Sequence, residues 1–255
     1  DWIEHPQEVI FQQLNRLQNS VKVMLGNPMT GESKRIHADS DDAWLDVRSE
    51  LEWMGKNERL LWLSEKDGWR RINLVTRSGE KVTGITPAGF DVIDIKGVDN
   101  QNDYIYFMAS PDDPKRRYLY RIKGDGSEMA RVTPGYVSGM NSYNISPDCS
   151  LAVHTFSTFD TPPVIALIKL PSHEVVKVLR DNANLTDQFK LLARRPVEFF
   201  RINIGGDVLL DGWSLTPPDF DKSKKYPVMV YVYGEPAGQT VMDRWGGRTM
   251  LWHLM

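Results

Sequence analysis

Cysteine is nearly absent: Cys149 stands alone among 255 residues, which excludes an internal disulfide and any cysteine-built metal site. It follows Asn144-Ile145-Ser146-Pro147-Asp148 at a turn, a setting that predicts an inert thiol. A single thiol suits a reducing compartment and a bacterial envelope protein equally, so the compartment stays open. Long apolar runs are missing too. The longest, Tyr226 to Gly234 (YPVMVYVYG), is about half of the roughly 18 residues that a membrane span needs. The first residues carry no basic stretch followed by an apolar one, so no signal peptide is visible, and they lack a methionine. The last residues, Gly246 to Met255, stop without a helix-ending signal; both ends read as cuts in a longer protein.

Charge of one sign is not in excess. The net charge of -3 gives no reason to expect nucleic acid or an anionic membrane as partner. Arg116-Arg117 and Arg194-Arg195 are too short to form a basic patch and read as solvated turn residues. His5, His37, His154, His173 and His253 lie far apart, with no H-x-x-x-H or H-E-x-x-H spacing; strand or surface positions are expected for them rather than metal ligation. No Gly-rich stretch is followed by G-K-[ST], which leaves no phosphate loop. Neither a metal nor a cofactor is expected.

What is present in quantity is aromatic and β-branched sequence arranged in short runs, with eight Trp, nine Tyr and nine Phe. An internal period near 47 residues organises it. Between the stretches beginning at Glu58 and Asn102, Ser64 matches Ser110, Ile72 matches Leu119, Gly79 matches Gly126, and Thr86-Pro87 matches Thr133-Pro134, at offsets of 46, 47, 47 and 47. A weaker third copy begins at Cys149, with Ser157 lying 47 residues after Ser110, and an earlier one contains Gly31, 48 before Gly79.

Each unit reads as short strands divided by turns: LLWLS (60–64), RINLV (71–75) and VTGIT (82–86), with Ser-Gly and Asp-Gly between them, followed by DVIDIKGV (91–98) as an inner strand of the next unit. Four short strands in 40–50 residues is the size of a propeller blade. About four blades are expected, the first beginning in mid-blade. A β-sandwich of similar strand lengths is the alternative, and the repeated Ser…Gly…Thr-Pro spacing favours the propeller.

The repeat fades after Leu185, and the texture changes. Thr186 to Pro196 has mixed, partly helical character and marks a domain junction. Residues 199–215 (FFRINIGGDVLLDGWSL) predict a hairpin turning at Gly205-Gly206, and residues 216–225 a polar, proline-bearing loop. YPVMVYVYG then predicts a strand buried on both faces, as in sheets covered by helices. The expected fold is therefore mainly β: residues 1–195 a partial propeller, residues 196–255 the first strands of an α/β domain.

Several stretches together resemble one family, the prolyl oligopeptidase-type serine peptidases, in the dipeptidyl peptidase IV branch. They are LNRLQN (14–19), DAWLDV (42–47), LLWLSEKDGWRRINL (60–74), VLRDNANL (178–185), EFF (198–200), LDGWSLTPPDFDKSKKYPVMVYVYGEP (210–236) and DRWGG (243–247). The resemblance implies a β-propeller followed by an α/β-hydrolase domain. It further implies a peptidase that releases N-terminal dipeptides after Pro or Ala, acts on peptide substrates without a cofactor, pairs as a homodimer, and is exported or periplasmic.

Within that resemblance Tyr233 matches the tyrosine whose hydroxyl donates to the oxyanion of the tetrahedral intermediate. Tyr231, one alternation earlier, is expected to pack. Relatives carry Gly-Gly-Pro after the tyrosine; here the run is Gly234-Glu235-Pro236, so Glu235 either bears backbone strain or faces a substrate amine, and no role is assigned to it. The resemblance places the catalytic serine, aspartate and histidine beyond Met255, and no Glu-Glu pair, the family's grip on the substrate amine, occurs here.

Gly212-Trp213-Ser214 imitates the front of the G-x-S-x-G nucleophile turn, but Thr216 stands where the second glycine belongs, and Pro217-Pro218 disfavours the helix that must follow. Ser214 is expected to be a strand residue, with no nucleophile in the chain. A non-catalytic propeller serving as a binding module is the alternative function.

Overall fold

The computed structural model describes residues 7–46, 51–234 and 238–254. Its framework is a series of antiparallel meanders, each pairing strands that follow one another in the chain. The first sheet is β1 (Val9–Leu14), β2 (Ser20–Gly26) and β3 (Ser33–Ser40). The second is β4 (Trp53–Met54), β5 (Arg59–Ser64), β6 (Arg71–Thr76) and β7 (Val82–Gly84). The third is β8 (Val92–Asp99), β9 (Tyr104–Ala109), β10 (Tyr118–Lys123) and β11 (Ala130–Arg131), and the fourth β12 (Met140–Ile145), β13 (Leu151–Thr158), β14 (Thr161–Lys169) and β15 (Val175–Arg180). These are the blades of a partial β-propeller, as the period predicts.

Two compact units divide the chain. The first is built on the residues up to Pro111 together with Leu119–Val132 and Ile145–Ser150; the second comprises Asp112–Tyr118, Thr133–Asn144 and the chain from Leu151 onward.

In the first unit, the repeat has a physical content that goes beyond strand lengths. Ile72 and Leu119 are both fully buried; Ile85 donates its N–H to the Ile72 carbonyl at 2.8 Å, and Val132 donates to the Leu119 carbonyl at 2.8 Å. Gly79 and Gly126 sit at φ +78° and +86° in turns closed by N–H bonds of 2.8 Å to the carbonyls of Thr76 and Lys123. Their positive φ is only half of the reason for glycine. A Cβ on Gly79 would lie 2.6 Å from the Ile36 carbonyl oxygen in β3, and one on Gly126 would lie 3.2 Å from that of Ile85. In both cases the turn of one meander is seated against backbone of the preceding one, leaving no room for a methyl group at Gly79 and only a tight fit at Gly126.

Between the first two sheets Ile10, Val21, Val23, Leu25, Leu60, Trp62 and Val75 form a continuous core, and the Trp62 indole N–H donates to the buried Asp39 carboxylate at 2.9 Å. Six of six residues in β9 are buried, so this strand is covered on both faces. Cys149 is buried at φ +55°. Burial, with Asp99 and Asp148 adding to it, pushes its thiol up to about 11, which agrees with an inert group.

In the second unit, the fourth sheet is followed by helix α1 (Ala183–Lys190), hairpin β16 (Glu198–Asn203) and β17 (Leu209–Ser214), and helix α2 (Gly247–His253). The hairpin turns at Gly205-Gly206 as expected, with φ +100° and +59°. Phe159, Phe189 and Met250 form its small core, with Val197, Trp213, Leu215 and Trp245 packed against them. One expectation fails. YPVMVYVYG is not a strand buried on both faces: residues 227–234 have no ladder partner among the described residues, and Val228, Val230 and Val232 are 84%, 79% and 73% exposed. A strand covered on both sides needs neighbouring strands and overlying helices; among the described residues no strand pairs with this run, and its contact with α2 is the Tyr231 ring 5.7 Å from His253.

Candidate functional site

The chain reaches Tyr233 from the hairpin β16–β17. Gly212 of the Gly-Trp-Ser sequence faces Phe200, its cross-strand partner, whose ring lies where a Cβ would come within 2.4 Å. Glycine at 212 is therefore explained by an aromatic ring lying across it. Ser214 is the last residue of β17, paired with Glu198, and continues into extended chain. It is a strand residue, as expected.

Trp213 points to the other side. Its ring lies 5.8 Å from that of Phe159 and 5.8 Å from His253, and its indole N–H donates to the Thr240 carbonyl at 3.3 Å. The loop that follows is folded on itself: the Asp221 N–H donates to the Tyr226 hydroxyl at 2.9 Å, and the Tyr226 ring stacks obliquely on Phe220 at 5.1 Å. From there the extended run leads to Tyr231, which touches His253 at 5.7 Å between ring centroids but is 56% exposed and not packed as expected, and to Tyr233. Tyr233 is 41% exposed, and its hydroxyl makes no hydrogen bond among the described residues. Glu235 and Pro236 lie outside the described residues.

Beyond Tyr233 the chain is fastened again. Gln239 Nε2 donates to the Pro114 carbonyl at 2.8 Å, and the Trp245 N–H to Ser157 Oγ at 3.3 Å. Asp243 is the centre of this attachment. Its carboxylate accepts from the Phe159 N–H at 3.0 Å and from Arg116 Nε at 3.1 Å. Its own N–H donates to the Lys115 carbonyl at 2.9 Å, and its carbonyl accepts from the Met140 N–H at 3.1 Å.

The loop that carries these partners, residues 113–117, also holds the hairpin. Lys115 Nζ lies 2.8 Å from Asp113 and 3.3 Å from Asp211 of β17, which in turn accepts from Arg201 Nε at 2.8 Å. Partial burial works against the Asp211 charge, but Arg201 and Lys115 outweigh it and hold this carboxyl below its ordinary value. Arg116 is thus not a solvated turn residue. It is the half-buried partner in an ion pair whose buried carboxylate lies 127 residues away, which is why local sequence could not reveal it. Arg194 is likewise engaged, bonded to Asp160 at 2.6 Å and lying over the Phe189 ring.

The structure also brings together two histidines that the sequence separates. His154 and His173 are buried with ring centroids 4.8 Å apart. His154 Nε2 donates to Asn141 Oδ1 at 2.8 Å, and the Tyr143 hydroxyl lies 3.0 Å from His173 Nε2 and 2.8 Å from Thr133 Oγ1. Burial, reinforced by His173, pushes His154 down to about 3, and burial lowers His173 as well. Burial thus favours the uncharged form of both rings, which are hydrogen-bonded within a packed cluster. Among the described residues no group of three or more His, Cys, Asp or Glu side chains is placed to hold a metal ion, and no helix is long and apolar enough to cross a membrane.

A propeller framework, a hairpin that leaves it and an extended run ending in an exposed tyrosine agree with comparisons to known proteins. A family model described as the dipeptidyl peptidase IV (DPP IV) N-terminal region matches residues 1–163, and the chain belongs to that family. It is 25% identical over 241 residues to dipeptidyl peptidase 4 of Trichophyton rubrum, covering 93% of this chain and 31% of the relative, and equally similar to that of Arthroderma otae. The crystal structure of Porphyromonas gingivalis dipeptidyl peptidase 4 superposes with a TM-score of 0.89 at 28% identity, over 96% of this chain and 34% of the other. The chain thus spans about a third of the length of the relatives it matches.

Proposed function

We propose that this chain is part of a serine-type dipeptidyl peptidase that releases Xaa-Pro and Xaa-Ala dipeptides from the amino terminus of peptides. In this reading, residues 1–195 are the last blades of the propeller, and residues 196–255 open the α/β-hydrolase domain. The nucleophile, its base and the orienting carboxylate come from sequence outside this chain, in which no G-x-S-x-G occurs. Tyr233 supplies one oxyanion donor: a neutral phenol donates to the charge that develops on the carbonyl oxygen as the acyl bond is attacked. The whole enzyme is exported or periplasmic and works as a homodimer.

The observation that carries the reading is the superposition on the Porphyromonas gingivalis enzyme. It extends over 96% of the chain and so includes residues beyond 163, where the family model stops. The test is hydrolysis of Xaa-Pro chromogenic dipeptides. The full-length protein is expected to cleave them, while residues 1–255 alone do not. A full-length protein inactive on both Pro and Ala substrates would favour a propeller that serves only as a binding module.

A further inference from the structure

Resting on the reading of Tyr233 as an oxyanion donor, we propose that Asp243 is a positioning residue for that tyrosine, acting through its bonds to Arg116, Lys115, Met140 and Phe159. Residues 227–234 have no ladder partner among the described residues, so the placement of Tyr233 depends on where the chain is tied down on either side. Upstream, the Asp221–Tyr226 turn closes on itself, and the contact nearest Tyr233 is the Tyr231 ring 5.7 Å from His253. Downstream, the tie is residues 239–245, and there Asp243 alone uses its N–H, its carbonyl and both carboxylate oxygens at once.

The bonds reach positions far from it in sequence. Phe159 is 84 residues away and Arg116 is 127, so one side chain pins the returning chain to two separate loops. The residue is 7% exposed, so water competes little for either oxygen. Only aspartate meets all four demands. Asparagine keeps one acceptor oxygen and loses the charge opposite Arg116, alanine keeps neither oxygen, and glutamate is one methylene too long for the same backbone placement. An oxyanion donor must sit within hydrogen-bonding distance of an oxygen whose position is set elsewhere, and a shift of about 1 Å can cost roughly 100-fold in rate. Loosening the downstream tie therefore reduces what Tyr233 contributes before it unfolds anything.

The experiment is a double-mutant cycle in the full-length protein, assayed on an Xaa-Pro chromogenic dipeptide, with thermal unfolding recorded for each variant. Asp243→Ala is expected to lower kcat roughly 20-fold to 200-fold and to change KM about 2-fold or less, because the tyrosine acts in the transition state. Tyr233→Phe should then cost less than about 5-fold in the Asp243→Ala background, against roughly 100-fold to 1,000-fold in the parent. Asp243→Asn, which can still accept from Phe159, should recover part of the loss. If Asp243→Ala does not fold, Asp243→Asn and Arg116→Gln carry the same cycle. An undiminished Tyr233→Phe effect in every Asp243 or Arg116 background overturns the positioning role and leaves the reading of Tyr233 intact. No effect of Tyr233→Phe in the parent removes that reading, and the positioning role with it.

Discussion

The blades and the chain beyond residue 196 are both written in short apolar runs, yet the structure treats them oppositely. In the second and third sheets, every strand finds its partner within a few residues of a turn, and β9 is buried along its whole length. The run Val228 to Tyr233 is as apolar as β9, but it remains exposed. The difference lies in where the partners come from. A meander carries its neighbours in adjacent sequence, and the next repeat covers its face. A central strand of an α/β sheet depends on strands and helices distant in sequence. What holds the second region in place within this chain is a small apolar cluster around Phe159, Phe189 and Met250, supplemented by the Lys115–Asp211–Arg201 and Arg116–Asp243 pairs and the hydrogen bonds around them.

That contrast can be broken from either side. The largest effect is expected for Val230→Asp in the full-length protein. If the run enters a sheet there, the change buries an unpaired charge and costs about 4 kcal/mol by chemical denaturation, whereas Val175→Asp on β15, also exposed here, costs about 0.5 kcal/mol or less. Equal costs would mean that residues 227–234 stay at the surface.

On the blade side, Gly79→Ala meets both a positive φ and the Ile36 carbonyl oxygen 2.6 Å from the new Cβ. A loss of about 3 kcal/mol is expected, the sum of the backbone penalty and overpacking. Gly31→Ala, at φ +74° with nothing within 4 Å, isolates the backbone penalty at about 1 kcal/mol. Matching losses for the two would show that the seating of one meander on the next contributes nothing.

The blades were legible in the sequence because their signals are local. Ser-Gly and Asp-Gly turns, alternating apolar residues and the matched Ile72/Leu119 and Gly79/Gly126 pairs all lie within one unit or one period. The hairpin at Gly205-Gly206 was legible for the same reason. Asp243 stands in sequence only as part of DRWGG; nothing nearby says that its carboxylate is buried or that Arg116 opposes it. The His154–His173 pair was hidden likewise, since the fourth meander brings together residues 19 apart that share no motif. YPVMVYVYG was misjudged for this chain because apolarity records what a strand needs and does not supply it.

Tyr233 is the residue of this chain to which the proposed function gives a chemical role, and its hydroxyl can be removed without changing the ring. Steady-state kinetics of full-length Tyr233→Phe on an Xaa-Pro chromogenic dipeptide should show kcat lowered roughly 100-fold to 1,000-fold, the usual loss of one oxyanion donor, with thermal stability unchanged. A kcat equal to that of the parent enzyme would contradict it.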